Sequence, residues 1–138
     1  MIKKALIAFL LLLPVTYVNA QVFLGKSKSD VIASMKKDNP QFTRDETTRN
    51  EKYNYLKYVS DDELETWIIV FDKNEKCSSV KITCDISRIS EKRKALDGLY
   101  TKRGDDRWSL SQKTGNINID LKNETWYFTI TYRPAQKL

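Results

Sequence analysis

Apolar positions along this chain change period from one segment to the next. Val31, Ile32 and Met35 recur at helical spacing inside a polar stretch, which predicts a helix over Lys28–Asp38. Ser27 is its expected N-cap, with Asp30 three residues on. Asn39-Pro40 ends it, because the residue before a proline is pushed out of the helical region. Thr43 to Lys52 is polar and charged and reads as an irregular connection. From Tyr53 the period drops to two. Tyr53–Val59, Leu64–Phe71 and Ser78–Cys84 read as strands, separated by the turn chemistry of Asp61-Asp62 and Asp72-Lys73-Asn74-Glu75. A second helical pattern spans Ser90–Lys102, with Ser90 as N-cap, an apolar face of Ala95, Leu96, Leu99 and Tyr100, and Gly104 as terminator. Three more strands follow, at Trp108–Gln112, Asn116–Leu121 and Thr125–Tyr132.

The order is thus a helix and three strands, twice over. Glu65-Thr66-Trp67 recurs as Glu124-Thr125-Trp126, each opening an apolar strand, as an internal duplication would leave behind. The expected fold is α+β, a single domain over residues 21–138 with half-repeats at 23–84 and 85–133. Its two helices pack on one face of an antiparallel sheet of about six strands.

The first twenty residues follow a different rule. Lys3 and Lys4 precede an apolar run from Ala5 to Leu13, Pro14 breaks it, and Val18-Asn19-Ala20 has the small-residue ending of a cleavage site. This is the layout of a secretory signal peptide. The run is shorter than the roughly 20 residues a bilayer span takes, and Gln21 stands where a lipoprotein would carry cysteine. The expectation is an exported, periplasmic or secreted domain with no transmembrane segment or lipid anchor in the mature chain.

Charge changes this picture little. The chain has 24 basic and 18 acidic residues and a formal net charge of +6, two of those charges lying in the leader. The signs alternate along the sequence, as on a solvated surface, and no nucleic-acid partner is expected. Cys77 and Cys84 are seven positions apart in a predicted strand, which would point them to opposite faces. Both are expected as free thiols, with Cys84 in the core beside Val80 and Ile82.

Candidate chemistry is sparse. The chain contains no histidine, which removes the commonest general base and metal ligand. Neither cofactor nor metal is expected. Asp61, Asp62 and Glu63, like Asp105 and Asp106, fall on predicted turns, where carboxylates are solvated. Asp72-Lys73-Asn74 begins like a calcium loop but lacks its glycine and distal glutamate. Arg103-Gly104-Asp105 matches an integrin-read tripeptide and is explained by the helix-ending glycine.

The aromatic residues carry more. Alternation puts Trp126, Phe128, Ile130 and Tyr132 on one side of the last strand, with Trp67, Ile69 and Phe71 to match, as core. Thr125, Tyr127, Thr129 and Thr131 face away. The candidate binding set is Tyr53, Tyr55, Lys57, Thr66, Ile68, Val70, Lys81 and Tyr127, an outward sheet face of aromatic and β-branched residues with a few lysines.

Leu24-Gly25-Lys26-Ser27-Lys28-Ser29-Asp30-Val31 resembles the G-x-[ST]-x-x-[DE]-V opening of small exported proteins of the SmpA/OmlA type. The doubled helix-plus-three-strand order is similar to the beta-lactamase inhibitory protein architecture. That resemblance implies one curved sheet whose concave face grips a partner protein. The inhibitor's disulfide pattern and the lipid-bearing cysteine of the assembly proteins are both absent here, and no functional residue carries over. The reading is therefore a non-enzymatic exported protein that binds a protein or envelope partner through its sheet. A carboxylate-dependent hydrolase working at the Asp61–Glu63 turn, and a structural envelope component, are the alternatives.

Overall fold

The structure is a computed structural model in which residues 20–47 and 52–135 are described. The expected leader, up to Asn19, lies outside the described residues. A 3-10 turn, Ala20–Phe23, precedes helix α1, Lys28–Asp38. Four strands follow: β1 Phe42–Arg44, β2 Tyr55–Ser60, β3 Glu65–Phe71 and β4 Cys77–Asp85. A second 3-10 turn, Ile86–Arg88, leads into α2, Ile89–Leu99. Four more strands complete the fold: β5 Thr101–Gly104, β6 Arg107–Gln112, β7 Gly115–Asn123 and β8 Tyr127–Pro134. All eight form one antiparallel sheet in the order β1-β2-β3-β4-β8-β7-β6-β5.

The α+β class and the antiparallel sheet agree with the pattern of the chain, but the sheet has eight strands rather than about six. The two additional strands are its edges. β1 falls in the stretch read as irregular, and β5 takes Thr101 and Lys102 from the predicted end of the second helix. Every residue of β5 is exposed. An edge strand of this kind shows no alternation in burial, so a period-two search passes over it. The second helix starts one residue early, and Arg88, not Ser90, occupies its N-cap without a side-chain hydrogen bond.

Strand alternation is clear in the centre. Buried positions alternate without a break along β2 and β3. The core cluster joins Leu56, Trp67, Ile69, Ile82, Ile119 and Ile130 of the strands with Val31 and Met35 of α1 and Leu96 of α2. Two expectations fail here. Trp126 is 80% exposed, because it sits in the turn before β8 and not in the strand. Its triplet is therefore not equivalent to Glu65-Thr66-Trp67, which opens β3. Thr129 faces away from the core yet is buried, flanked by Thr83 and Lys122 on neighbouring strands.

Cys77 and Cys84 lie on the same buried side, contrary to simple counting. Val70 pairs with Ser79 but Phe71 pairs with Cys77, so Ser78 is an extra residue. This β-bulge shifts the phase of β4 by one and turns Cys77 inward. Both cysteines are free and buried.

α1 is capped as expected, the Asp30 N–H donating to Ser27 Oγ at 3.2 Å. α2 is fixed to the sheet by buried Leu96 and by a set of polar contacts. Glu65, at the start of β3, is buried and accepts from Trp67 Nε1 at 2.7 Å. Its other oxygen meets Lys92 Nζ at 3.2 Å and Arg88 Nη1 at 3.8 Å. Arg88 also donates to Asp62. On the other side of α2, Arg93 binds both oxygens of Asp106 at 2.8 Å, and Trp108 Nε1 donates to Asp97 at 2.9 Å.

Glu65 is the critical member, because removing it leaves the buried Trp67 N–H without its acceptor and two part-buried cations without their partner. Glu65→Ala should destabilise the protein by about 3 kcal/mol. Glu65→Gln, which keeps an acceptor for Trp67, should cost less. Urea denaturation reads both effects as a lower midpoint at constant m, and an unchanged midpoint for Glu65→Ala would refute the role.

Candidate functional site

The face opposite the core is built by cross-strand rows. One row runs Lys57, Ile68, Lys81, Thr131, Asp120 and Arg107 across β2, β3, β4, β8, β7 and β6. A second runs Val59, Thr66, Thr83, Thr129 and Lys122. A third begins Tyr55, Val70 and Ser79. Residues directly opposite on one face stand about 5 Å apart at Cβ, so these rows form a continuous surface.

Six of the eight candidate residues meet here. Tyr55, Lys57, Thr66, Ile68 and Val70 are half-buried among one another, and Lys81 is exposed beside Ile68. The remaining two stand apart. Tyr53 precedes β2 and is largely exposed, and Tyr127 pairs with Asp85 at the far end of β8. The charged half of the same face was not among the candidates. Asp120 there lies between Arg133 Nη2 at 3.4 Å and Arg107 Nε at 3.9 Å. The alternation of Asn118 and Asp120 with Ile117, Ile119 and Leu121 carries that signal in the sequence.

The two lysines differ. Lys57 Nζ lies 3.2 Å from Asp45 Oδ2. Hydrogen bonds from Thr47 and then from Lys57 lower the Asp45 carboxyl to about 2, so it stays ionised. Lys57 is therefore largely neutralised, and Lys81 is the more open cation of the patch.

The carboxylates of the β2–β3 turn do not form a hydrolytic pair. Asp61, Asp62 and Glu63 are all exposed. Ser60 Oγ and the Leu64 N–H donate to Asp62 at 2.6 and 3.0 Å, and with Arg88 they hold its carboxyl at about 2. A group so stabilised in its charged form does not serve as a general acid near neutral pH. Asp72 Oδ1 accepts from the N–H groups of Asn74 and Lys76, which makes it the organiser of its own turn. Arg103 and Gly104 lie in β5, with Arg103 Nε donating to Ser109 Oγ at 2.7 Å. Among the described residues, no three His, Cys, Asp or Glu side chains are grouped to hold a metal ion. No described helix is long and apolar enough to cross a membrane.

Comparison with protein-family models, curated proteins and solved structures finds no match to this chain.

Burial pushes the thiols of Cys77 and Cys84 from an ordinary 9.0 up to about 12, and Tyr100 from 10.0 to about 12. The thiols are therefore poor nucleophiles in the folded protein. The sign of the linkage follows. Unfolded thiols ionise near pH 9 and folded ones near 12, so unfolding releases protons in between and stability falls as pH rises through that window. A falling denaturation midpoint from pH 8 to pH 11 is expected, with a shallower fall in Cys84→Ala. A Cys84→Ala profile of undiminished slope would contradict this.

Proposed function

We propose that this chain is an exported binding protein that presents the outward face of its sheet to a protein partner. The observation that carries this is the contiguous patch of Tyr55, Thr66, Ile68, Val70 and Lys81 on the sheet face opposite the core. Aromatic and branched apolar groups with one open cation provide anchors ringed by polar neighbours. Val31, Met35 and Leu96 join the buried phase of the strands, which supports a layout with both helices over one face and the other left free. That layout is also the basis of the resemblance to the beta-lactamase inhibitory proteins and of their mode of binding. The lysine-bearing patch favours a partner with apolar groups around a carboxylate, which Lys81 would meet. The sequence of the first twenty residues supports export.

The test is site-specific photo-crosslinking in cells making the full chain. A photoreactive residue at position 68 or 81 should give the same adduct, and one on the exposed side of α2 at position 94 should not. Tyr55→Ala in the same chain should reduce the adduct about tenfold, the effect of losing one anchor residue, with the thermal midpoint unchanged. Absence of an adduct from positions 68 and 81, or an equal adduct from position 94, would sink the proposal.

A further inference from the structure

The free edge at β1 differs from the one at β5. β1 is three residues long and, among the described residues, pairs only with β2. The flanking ladder bonds run from the Asp61 N–H to the Gln41 carbonyl at 2.9 Å and from the Asp45 N–H to the Lys57 carbonyl at 2.8 Å. Bonded residues alternate in an antiparallel ladder, so Gln41, Thr43 and Asp45 direct their backbone groups to β2. Phe42 and Arg44 direct theirs away from the sheet. The Phe42 N–H is taken by the Asn39 carbonyl at 3.1 Å. The Phe42 carbonyl and both backbone groups of Arg44 face the open edge.

A groove of about 440 Å³ runs between this edge and α1. Ile32, Met35, Phe42 and Tyr58 give it an apolar lining, and Lys36 and Arg44 add two cations. Arg44 Nη1 is 3.5 Å from Glu46 Oε1, in a pair that is solvent-exposed on both sides. Exposed pairs of this kind contribute little and exchange readily. The β5 edge carries exposed Lys102 and Arg103, the charged guard that discourages pairing. β1 combines unpaired backbone with an apolar groove alongside, which is what strand addition requires. A second copy of this chain would bring two Lys36 and two Arg44 side chains into one short ladder, so charge favours an acidic partner over self-association.

The geometry points to β1 as a strand-addition site for an extended peptide segment of a partner protein, one that carries apolar and acidic side chains together on one face, at every second position. The peptide backbone pairs with Arg44 and with the Phe42 carbonyl. Every second side chain of the added strand points to the face that carries Arg44 and α1, and the apolar ones among these enter the groove between β1 and α1. Its carboxylates meet Lys36 and Arg44. The sheet-face reading concerns a different surface, and this inference does not rest on it.

The probe is a fluorescein-labelled peptide repeating threonine, valine, threonine and glutamate, which puts valine and glutamate on one face, with lysine in place of glutamate in its control. Both are titrated by fluorescence polarisation into protein purified from cells expressing the full chain. The acidic peptide should bind, and the basic one should bind at least about tenfold more weakly, the equivalent of one charge-assisted contact. Arg44→Pro removes the outward N–H while leaving the β1–β2 ladder bonds in place, and should weaken binding about tenfold. Lys36→Glu lies on the helix surface, leaves the backbone untouched and should weaken binding in the same direction. Amide hydrogen exchange should slow at Arg44 on binding and not in β5. The inference is overturned by any one of four results: no binding up to about 1 mM, equal binding of the two peptides, full binding by both variants, or protection confined to β5. A concentration-dependent dimer lost in Arg44→Pro would also overturn it, in favour of self-pairing. The crosslinks from positions 68 and 81 score the other surface separately, so either proposal can fail alone.

Discussion

Every strand pairing in this sheet joins neighbours in sequence except one, the ladder between β4 and β8. β1 to β4 form one meander and β5 to β8 another, and each ends in a strand with an unpaired side. β4 and β8 resolve that by pairing with each other from Val80–Tyr132 to Asp85–Tyr127. The chain must close a long loop, including all of α2, before this ladder can form, so it is the entropically costly contact of the fold. Its return is that Val80, Ile82 and Cys84 share one buried surface with Phe128, Ile130 and Tyr132. Two four-stranded halves thereby acquire a common core.

The same ladder makes the outward face continuous. Lys81 stands opposite Thr131 and Thr83 opposite Thr129, so the rows that start at Lys57 and Val59 pass from one half to the other without a break. The bulge at Ser78 matters for the same reason. It lets Cys77 turn inward with Val80, and Ser79 remains in the outward row with Tyr55 and Val70. The polar contacts of α2 act on a different axis. Glu65, Asp62, Arg88 and Lys92 tie the β2–β3 turn to the start of that helix, and Arg93 ties its middle to the β5–β6 turn at Asp106. One helix is thereby fastened to both halves of the sheet.

How far the sequence could be read depended on whether burial imposed a pattern. The central strands were legible because burial alternates from one residue to the next, and Trp67, Ile69 and Phe71 fall inside as their spacing requires. The edges were not, because neither Phe42–Arg44 nor Thr101–Gly104 shows alternating burial, Phe42 alone among them being half-buried against the core. Trp126 misled because a large aromatic one residue before a strand extends the strand's phase on paper. The chain instead turns at Trp126, whose carbonyl accepts from the Ile86 N–H at 3.3 Å. Six candidate residues came together because they share strands and parity. Tyr53 and Tyr127 fell outside because parity says nothing about how far along a strand a residue lies. The pairing of Lys57 with Asp45 was hidden because β1 was hidden, for only that strand brings Asp45 beside β2.

The two proposed surfaces follow from the strand order, in which two meanders join at β4 and β8 and leave β1 and β5 as edges. An open sheet has two faces and two edges, and the core consumes one face. The other face is wide and its backbone is fully paired, so a partner can be read there only by side chains. An edge offers backbone first and side chains second. β5 answers that exposure with the exposed charges of Lys102 and Arg103. β1 sits next to α1, whose Ile32 and Met35 extend apolar lining out to the edge. The asymmetry arises because the connection from β1 to β2 is long where the one from β5 to β6 is a two-residue turn. The tight turn holds β5 against β6. β1 is three residues long, and its outward groups lie beside the groove against α1.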